Sequence, residues 1–122
     1  METTIDVQSV YESAGPCREV LGLIANKWTS LVVGVLRRRP HRFGELRRAV
    51  GISQKVLSQN LRALERDGLV RRTVHPTKPP SVEYAMTPLG MGVVAHLVAL
   101  NEWAEANYTL ICAAREEFDV RA

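Results

Sequence analysis

A chain of 122 residues with 46% hydrophobic and 24% charged side chains has the balance of one folded domain. It is too short for two domains and a linker, and too mixed for a disordered or low-complexity segment. The net charge of +3 hides a segregation: residues 36–78 carry twelve Lys and Arg against three Asp and Glu, net +9, while the flanks carry four against ten, net −6.

The N-terminal METTIDVQSVYESAG has neither a basic start nor an apolar run, and no stretch approaches the roughly 20 apolar residues that span a bilayer. A cytoplasmic location without membrane contact is expected. Residues 17–38 read as helical, with a break near Asn26: Val20, Leu21, Leu23 and Ile24 point inward from the first half, and Trp28, Leu31, Val32, Val35 and Leu36 from the second. Pro40 is expected to end that helix. RFGELRRAV then supplies a short third helix, with Phe43, Leu46, Ala49 and Val50 as its inward stripe and Gly51 closing it. Ser53 is a good N-cap for QKVLSQNLRALERD, which Gly68 stops. Short helix, tight turn and longer helix make a helix-turn-helix.

The period then changes. LVRRTV and SVEYAMT are short and rich in β-branched and aromatic residues, and the intervening HPTKPP forbids a helix; together they predict a β-hairpin with a basic, proline-rich loop. Thr87-Pro88 opens a long helix through Leu89, Val93, Leu97, Leu100 and Ala104. Val94, Val98 and Trp103 widen its apolar face, and Tyr108, Leu110, Ile111 and Phe118 add more apolar surface than so small a domain can cover. Self-association follows as the economical expectation.

On the helix 53–67, Leu57, Leu61 and Leu64 fall on one side, whereas Gln54, Lys55, Ser58, Gln59, Arg62 and Arg66 share the opposite arc, with Glu65 turning toward it in the last turn. Gln, Arg, Lys and Ser are side chains whose donors and acceptors match base edges, and the N-terminal half of such a helix is what enters a DNA major groove. A charged arc alone reads as a solvated face. The preceding helix, the tight turn and the basic hairpin make groove insertion the better reading, with Ser53, Gln54, Lys55, Ser58, Gln59 and Arg62 as candidate contacts. Arg71, Arg72, His75 and Lys78 on the hairpin, together with Arg42, are candidates for the phosphate backbone or the minor groove.

The run IANKWTSLVVGVL followed by RFGELRRAVGISQKVLSQNLRALERDGLVRRTVHPTKPPSVEYAMTPLG resembles the HxlR-type winged helix-turn-helix transcriptional regulators of bacteria and archaea. Lys27-Trp28-Thr29, Arg42-Phe43 with Glu45-Leu46, and Pro79-Pro80 with Val82, Tyr84, Thr87, Leu89 and Gly90 carry the resemblance. It implies a single domain, mainly α with a small β-hairpin, in which residues 16–87 bind DNA and residues 1–15 and 88–122 dimerise. A homodimer on an inverted-repeat operator is implied, each protomer placing a helix in the major groove and a wing beside it. Many members carry a sensing cysteine directly before a proline. Here Gly15 precedes Pro16 and Cys17 follows it, so redox sensing by Cys17 is a candidate role and packing at the dimer interface the expected one.

No catalytic motif is visible, and His41, His75 and His96 fall in different predicted elements. Neither an enzyme, a cofactor nor a metal site is therefore expected, and Cys17 and Cys112 are too sparse for a disulfide framework or a metal knuckle. Two rival readings stand beside the regulator: a winged helix that docks a protein rather than DNA, and a regulator gated by a small-molecule effector near Trp28, Trp103 or Tyr108. The acid-poor helix face argues against the first.

Overall fold

The computed structural model describes residues 15–122; the dimerisation segment expected over residues 1–15 lies, Gly15 apart, outside them. The elements in order are helices α1 (Gly15–Ile24) and α2 (Lys27–Leu36), strand β1 (His41–Arg42), helices α3 (Phe43–Val50) and α4 (Gln54–Arg66), strands β2 (Val70–His75) and β3 (Ser81–Met86), and helix α5 (Pro88–Arg121). This is a winged helix.

The break between α1 and α2 bends the chain by 69°. Asn26 causes a clean restart, because its Oδ1 accepts the Trp28 N–H at 2.8 Å and satisfies one of the donors a helix start leaves over. Pro40 is not what stops α2: the helix ends at Leu36, and Arg37–Arg39 turn before the proline is reached. The inward face also differs from its expected composition. Val33 is buried, whereas Val20, Leu21, Leu31 and Ala49 are exposed. Helical spacing gives a stripe its width but not its centre, and on α1 it is Leu23 and Ile24 that pack against the core.

The core gathers Val32 and Leu36 from α2, Leu46 from α3, Leu57, Leu61 and Leu64 from α4, and Ile52, Leu69 and Val70 from the connections and β2. Each of the three α4 leucines retains 1% or less of its surface, which stabilises the fold by about 1.5 to 3 kcal/mol per side chain. Beside them, the buried Asn60 donates from Nδ2 to Thr29 Oγ1 at 3.0 Å, pinning α4 to α2.

Helix ends follow local chemistry. Gly51 closes α3 at φ 73° and Gly68 follows α4 at φ 75°, a backbone region where a Cβ is strained. The Leu69 N–H reaches back to the Leu64 carbonyl at 2.9 Å and the Gly68 N–H to that of Glu65 at 3.0 Å, a Schellman closure. Ser53 Oγ accepts the Val56 N–H at 3.2 Å to start α4.

The hairpin carries a third strand. β3 lies in the middle of the order β1-β3-β2, all antiparallel, with Tyr84 opposite both His41 and Arg72. Two residues between Pro40 and a helix start are too few to show an alternating pattern, so β1 left no sequence signal. Thr87 clasps the hairpin base: its hydroxyl donates to the Gly68 carbonyl at 2.6 Å and accepts the Gly90 N–H at 3.0 Å. The first turn of α5 packs down here through Gly90, Leu97 lies two turns further along beside α2, and beyond Leu97 no residue of α5 is buried.

Two predictions follow from these junctions. A Cβ on Gly90 would run into the Leu69 carbonyl and the Met86 side chain, whereas one on Gly92 meets nothing within 4 Å. Gly90→Ala should therefore destabilise by about 1 to 3 kcal/mol in urea unfolding, while Gly92→Ala should stabilise by about 0.5 to 1 kcal/mol through helix propensity.

At the start of α3, the Arg42 N–H donates to Glu45 Oε1 at 3.1 Å. That hydrogen bond holds the Glu45 carboxyl below its ordinary pKa against the opposing effect of desolvation, with help from the nearby Arg39 charge. A lowered folded-state pKa stabilises above the unfolded value and ceases to do so as pH falls through the folded one. The stability difference between the parent and Glu45→Gln should be constant above about pH 5 and shrink below the usual glutamate range near about 4.3, as read from urea midpoints across pH.

Candidate nucleic-acid interface

With its leucine side fixed inward, α4 has no freedom over what it turns outward. Gln54, Lys55, Ser58, Gln59, Arg62, Glu65 and Arg66 are all exposed. Ser53 is exposed as well, but its Oγ is already engaged as the cap of the helix. Besides the leucines, Asn60, tied to Thr29, is buried, and Val56 and Ala63 are half-buried.

The hairpin residues separate by strand alternation. Arg72 lines a groove together with Ser58, Arg62, Glu65 and Tyr84, so it faces α4. Its neighbour Arg71, also exposed, belongs to the opposite face of β2. Lys78 is exposed in the connection between the strands. His75, at the end of β2, is half-buried: its Nε2 is shielded from solvent and lies 3.6 Å from Glu83 Oε1, too far for a hydrogen bond. Ser81, its cross-strand partner, also has a shielded hydroxyl oxygen without a partner.

Arg42, at the N-terminus of α3, joins Gln54 and Ser58 of α4 and Ser81 and Tyr84 of β3 around a second groove of about 470 Å³. The structure therefore brings Arg42, Gln54, Ser58, Arg62 and Arg72 to one side of the molecule, leaves Lys55 and Gln59 exposed outside these grooves, and sets Arg71 apart. Tyr84 is the residue that sequence reasoning passed over. The signal available was its pairing opposite Arg72, which requires the hairpin register as well as its existence.

Cys17 is exposed on α1 and Cys112 half-buried on α5. Among the described residues, no three His, Cys, Asp or Glu side chains gather as a metal site would require, and no single helix is long and apolar enough to cross a membrane.

The comparisons with known proteins agree with this geometry. Residues 23–111 match the model of the HxlR-like helix-turn-helix family. The uncharacterized HTH-type transcriptional regulator YtfH of Escherichia coli (strain K12) is 45% identical over 103 residues, covering 84% of this chain and 82% of that protein. Among solved structures, the transcriptional regulator ytfH of Salmonella typhimurium superposes with a TM-score of 0.74 at 45% identity, over 83% of this chain and 91% of that one. Diamide-treated YodB of B. subtilis does so at 0.65 and 32% identity, over 73% and 89%. A helix-turn-helix with a wing, matched along most of its length, settles the affiliation: the chain belongs to the HxlR-like helix-turn-helix family of transcriptional regulators.

Proposed function

We propose that the protein binds double-stranded DNA sequence-specifically as a homodimer on an inverted-repeat operator, with α4 as the recognition helix and the β2–β3 hairpin as the wing. One observation carries the reading: the solvent face of α4 presents Gln54, Lys55, Ser58, Gln59 and Arg62 with no acidic residue before Glu65. A protein-docking winged helix would have no use for an uninterrupted arc of base-matching donors. The grouping of Arg42, Arg62 and Arg72 on the same side supports a polyanionic partner.

The dimer is supported by what α5 leaves uncovered. The helix is 34 residues long, about 51 Å. Leu100, Trp103, Leu110 and Phe118 are each more than 60% exposed. Leu100, Trp103, Asn107, Ile111 and Phe118 recur at intervals of three, four and seven, so they form one stripe along its length. Cys17, Val20 and Leu21 share a face of α1 at the same kind of spacing, and in this reading Cys17 packs with them against the partner protomer. Covering such surface by self-association offsets the cost of holding it in water.

The DNA reading is tested by selecting bound duplexes from random sequence and measuring variants on the winner. Alanine at Gln59 or Arg62 should cost about 1 to 3 kcal/mol and relax preference at one operator position, whereas Arg72→Gln should weaken all duplexes alike and lower the salt slope by about one. Sequence preference that survives alanine at every exposed α4 position would remove that helix from the groove. For the dimer, Leu100→Glu with Phe118→Glu should raise the dissociation constant at least about tenfold in sedimentation equilibrium, since each places a charge in an apolar seam. A parent that sediments as a monomer, bound or free, overturns the pairing.

A further inference from the structure

The two grooves flanking α4 are one feature. One, about 470 Å³, and the other, about 320 Å³, share Ser58 and Tyr84, so they adjoin along one trench between the recognition helix and the wing. Arg42 stands at one end of it, Arg62 and Arg72 at the other.

Its chemistry is one-sided. Every polar side chain around the first groove, Arg42, Gln54, Ser58, Ser81 and Tyr84, can donate a hydrogen bond and none is anionic. Glu65 closes the far end as the sole carboxylate of the lining. Among the described residues, no carboxylate oxygen lies within 4 Å of the guanidinium nitrogens of Arg42, Arg62 or Arg72, the close contacts of that kind being Arg39–Glu45, His75–Glu83 and Arg121–Glu117. A donor-lined trench with cations at both ends is built for an extended anion rather than a small enclosed one, because it lies open to solvent.

Tyr84 is placed rather than loosely exposed. It is half-buried on the central strand, opposite Arg72, and its ring packs at 53° to that of Phe43 with centroids 6.4 Å apart. That contact holds the aromatic body of a residue that lines both grooves. When a helix occupies the major groove and a wing the flanking minor groove, what passes between them is the backbone of one strand. We infer that the trench between α4 and the wing seats the sugar–phosphate backbone of one DNA strand, with the Tyr84 hydroxyl donating to a phosphodiester oxygen. Ser58 then faces that backbone rather than a base edge. The inference rests on the DNA-binding reading above.

The test uses the full-length protein and the selected duplex, with single phosphates replaced by neutral methylphosphonates. Tyr84→Phe keeps the ring on Phe43 and removes only the hydroxyl. It should weaken specific and non-specific duplexes by the same factor, about three- to tenfold for one lost hydrogen bond, without changing the salt slope, because a neutral hydroxyl releases no counterion. At one phosphate per half-site, neutralisation should cost the parent about five- to tenfold and the variant less than about twofold. A parent and variant that respond equally at every phosphate, or bind with equal affinity, overturn the trench while leaving the α4 reading intact. A parent that binds no duplex overturns both.

Discussion

The burial of Leu57, Leu61 and Leu64 decides how the molecule meets its partner. A helix is free to rotate about its axis until packing stops it, and these three side chains, each at 1% exposure or less, stop α4 at one angle against Val32, Leu36 and Leu46. Apolar packing alone tolerates small rotations. The Asn60–Thr29 hydrogen bond does not, since a buried amide that turns away loses its partner and keeps its desolvation cost. The outward arc of polar residues is the complement of these inward restraints.

A second junction sets the distance from that helix to the wing. The Schellman closure at Gly68 turns the chain directly into β2, and Thr87 bonds back to the same glycine from the end of β3. Gly90 lets the start of α5 press against the Leu69 carbonyl beneath them. Helix, wing and long helix are thus joined within a few residues of one point, where a change in packing is shared among all three. A displacement of α5 by a partner protomer would be transmitted to the spacing between α4 and the hairpin through Thr87 and Gly90 rather than absorbed in a loop.

Legibility from sequence follows the range of the chemistry. Ser53, Thr87, Gly51 and Gly68 act on backbone within a few residues of themselves, and their roles as caps and stops could be read directly. The inward and outward sides of α4 were equally legible, because three leucines at regular spacing leave one choice of face. What escaped depends on partners distant in the chain. β1 exists only because β3 offers it a free edge, Val33 is buried and Leu31 exposed according to where neighbouring helices sit, and Arg71 and Arg72 divide between faces once the hairpin register is fixed. Tyr84 and Ser58 are 26 positions apart in the chain, and no local pattern reports that they share a wall.

Charge placement adds an orientation to this geometry. The basic surplus of residues 36–78 lies on α3, α4, the wing and the turn after α2, whereas Glu102, Glu105, Glu116, Glu117 and Asp119 lie exposed on the length of α5 that carries no buried residue. Surface ion pairs such as Arg121–Glu117 contribute little to stability, so the acidic helix gains little for the fold by its charge. Its effect is at longer range. A polyanion approaching within about 10 Å, the screening length at moderate salt, is attracted to one side of the protomer and repelled from the other. The same acidic residues flank rather than interrupt the apolar stripe of α5, so two copies can close on Leu100, Trp103 and Phe118 without burying a carboxylate in the seam. Pairing through the apolar stripe of α5 and an open basic face on α4 and the wing are therefore mutually consistent: a partner protomer on that stripe would cover neither the carboxylates nor the cations.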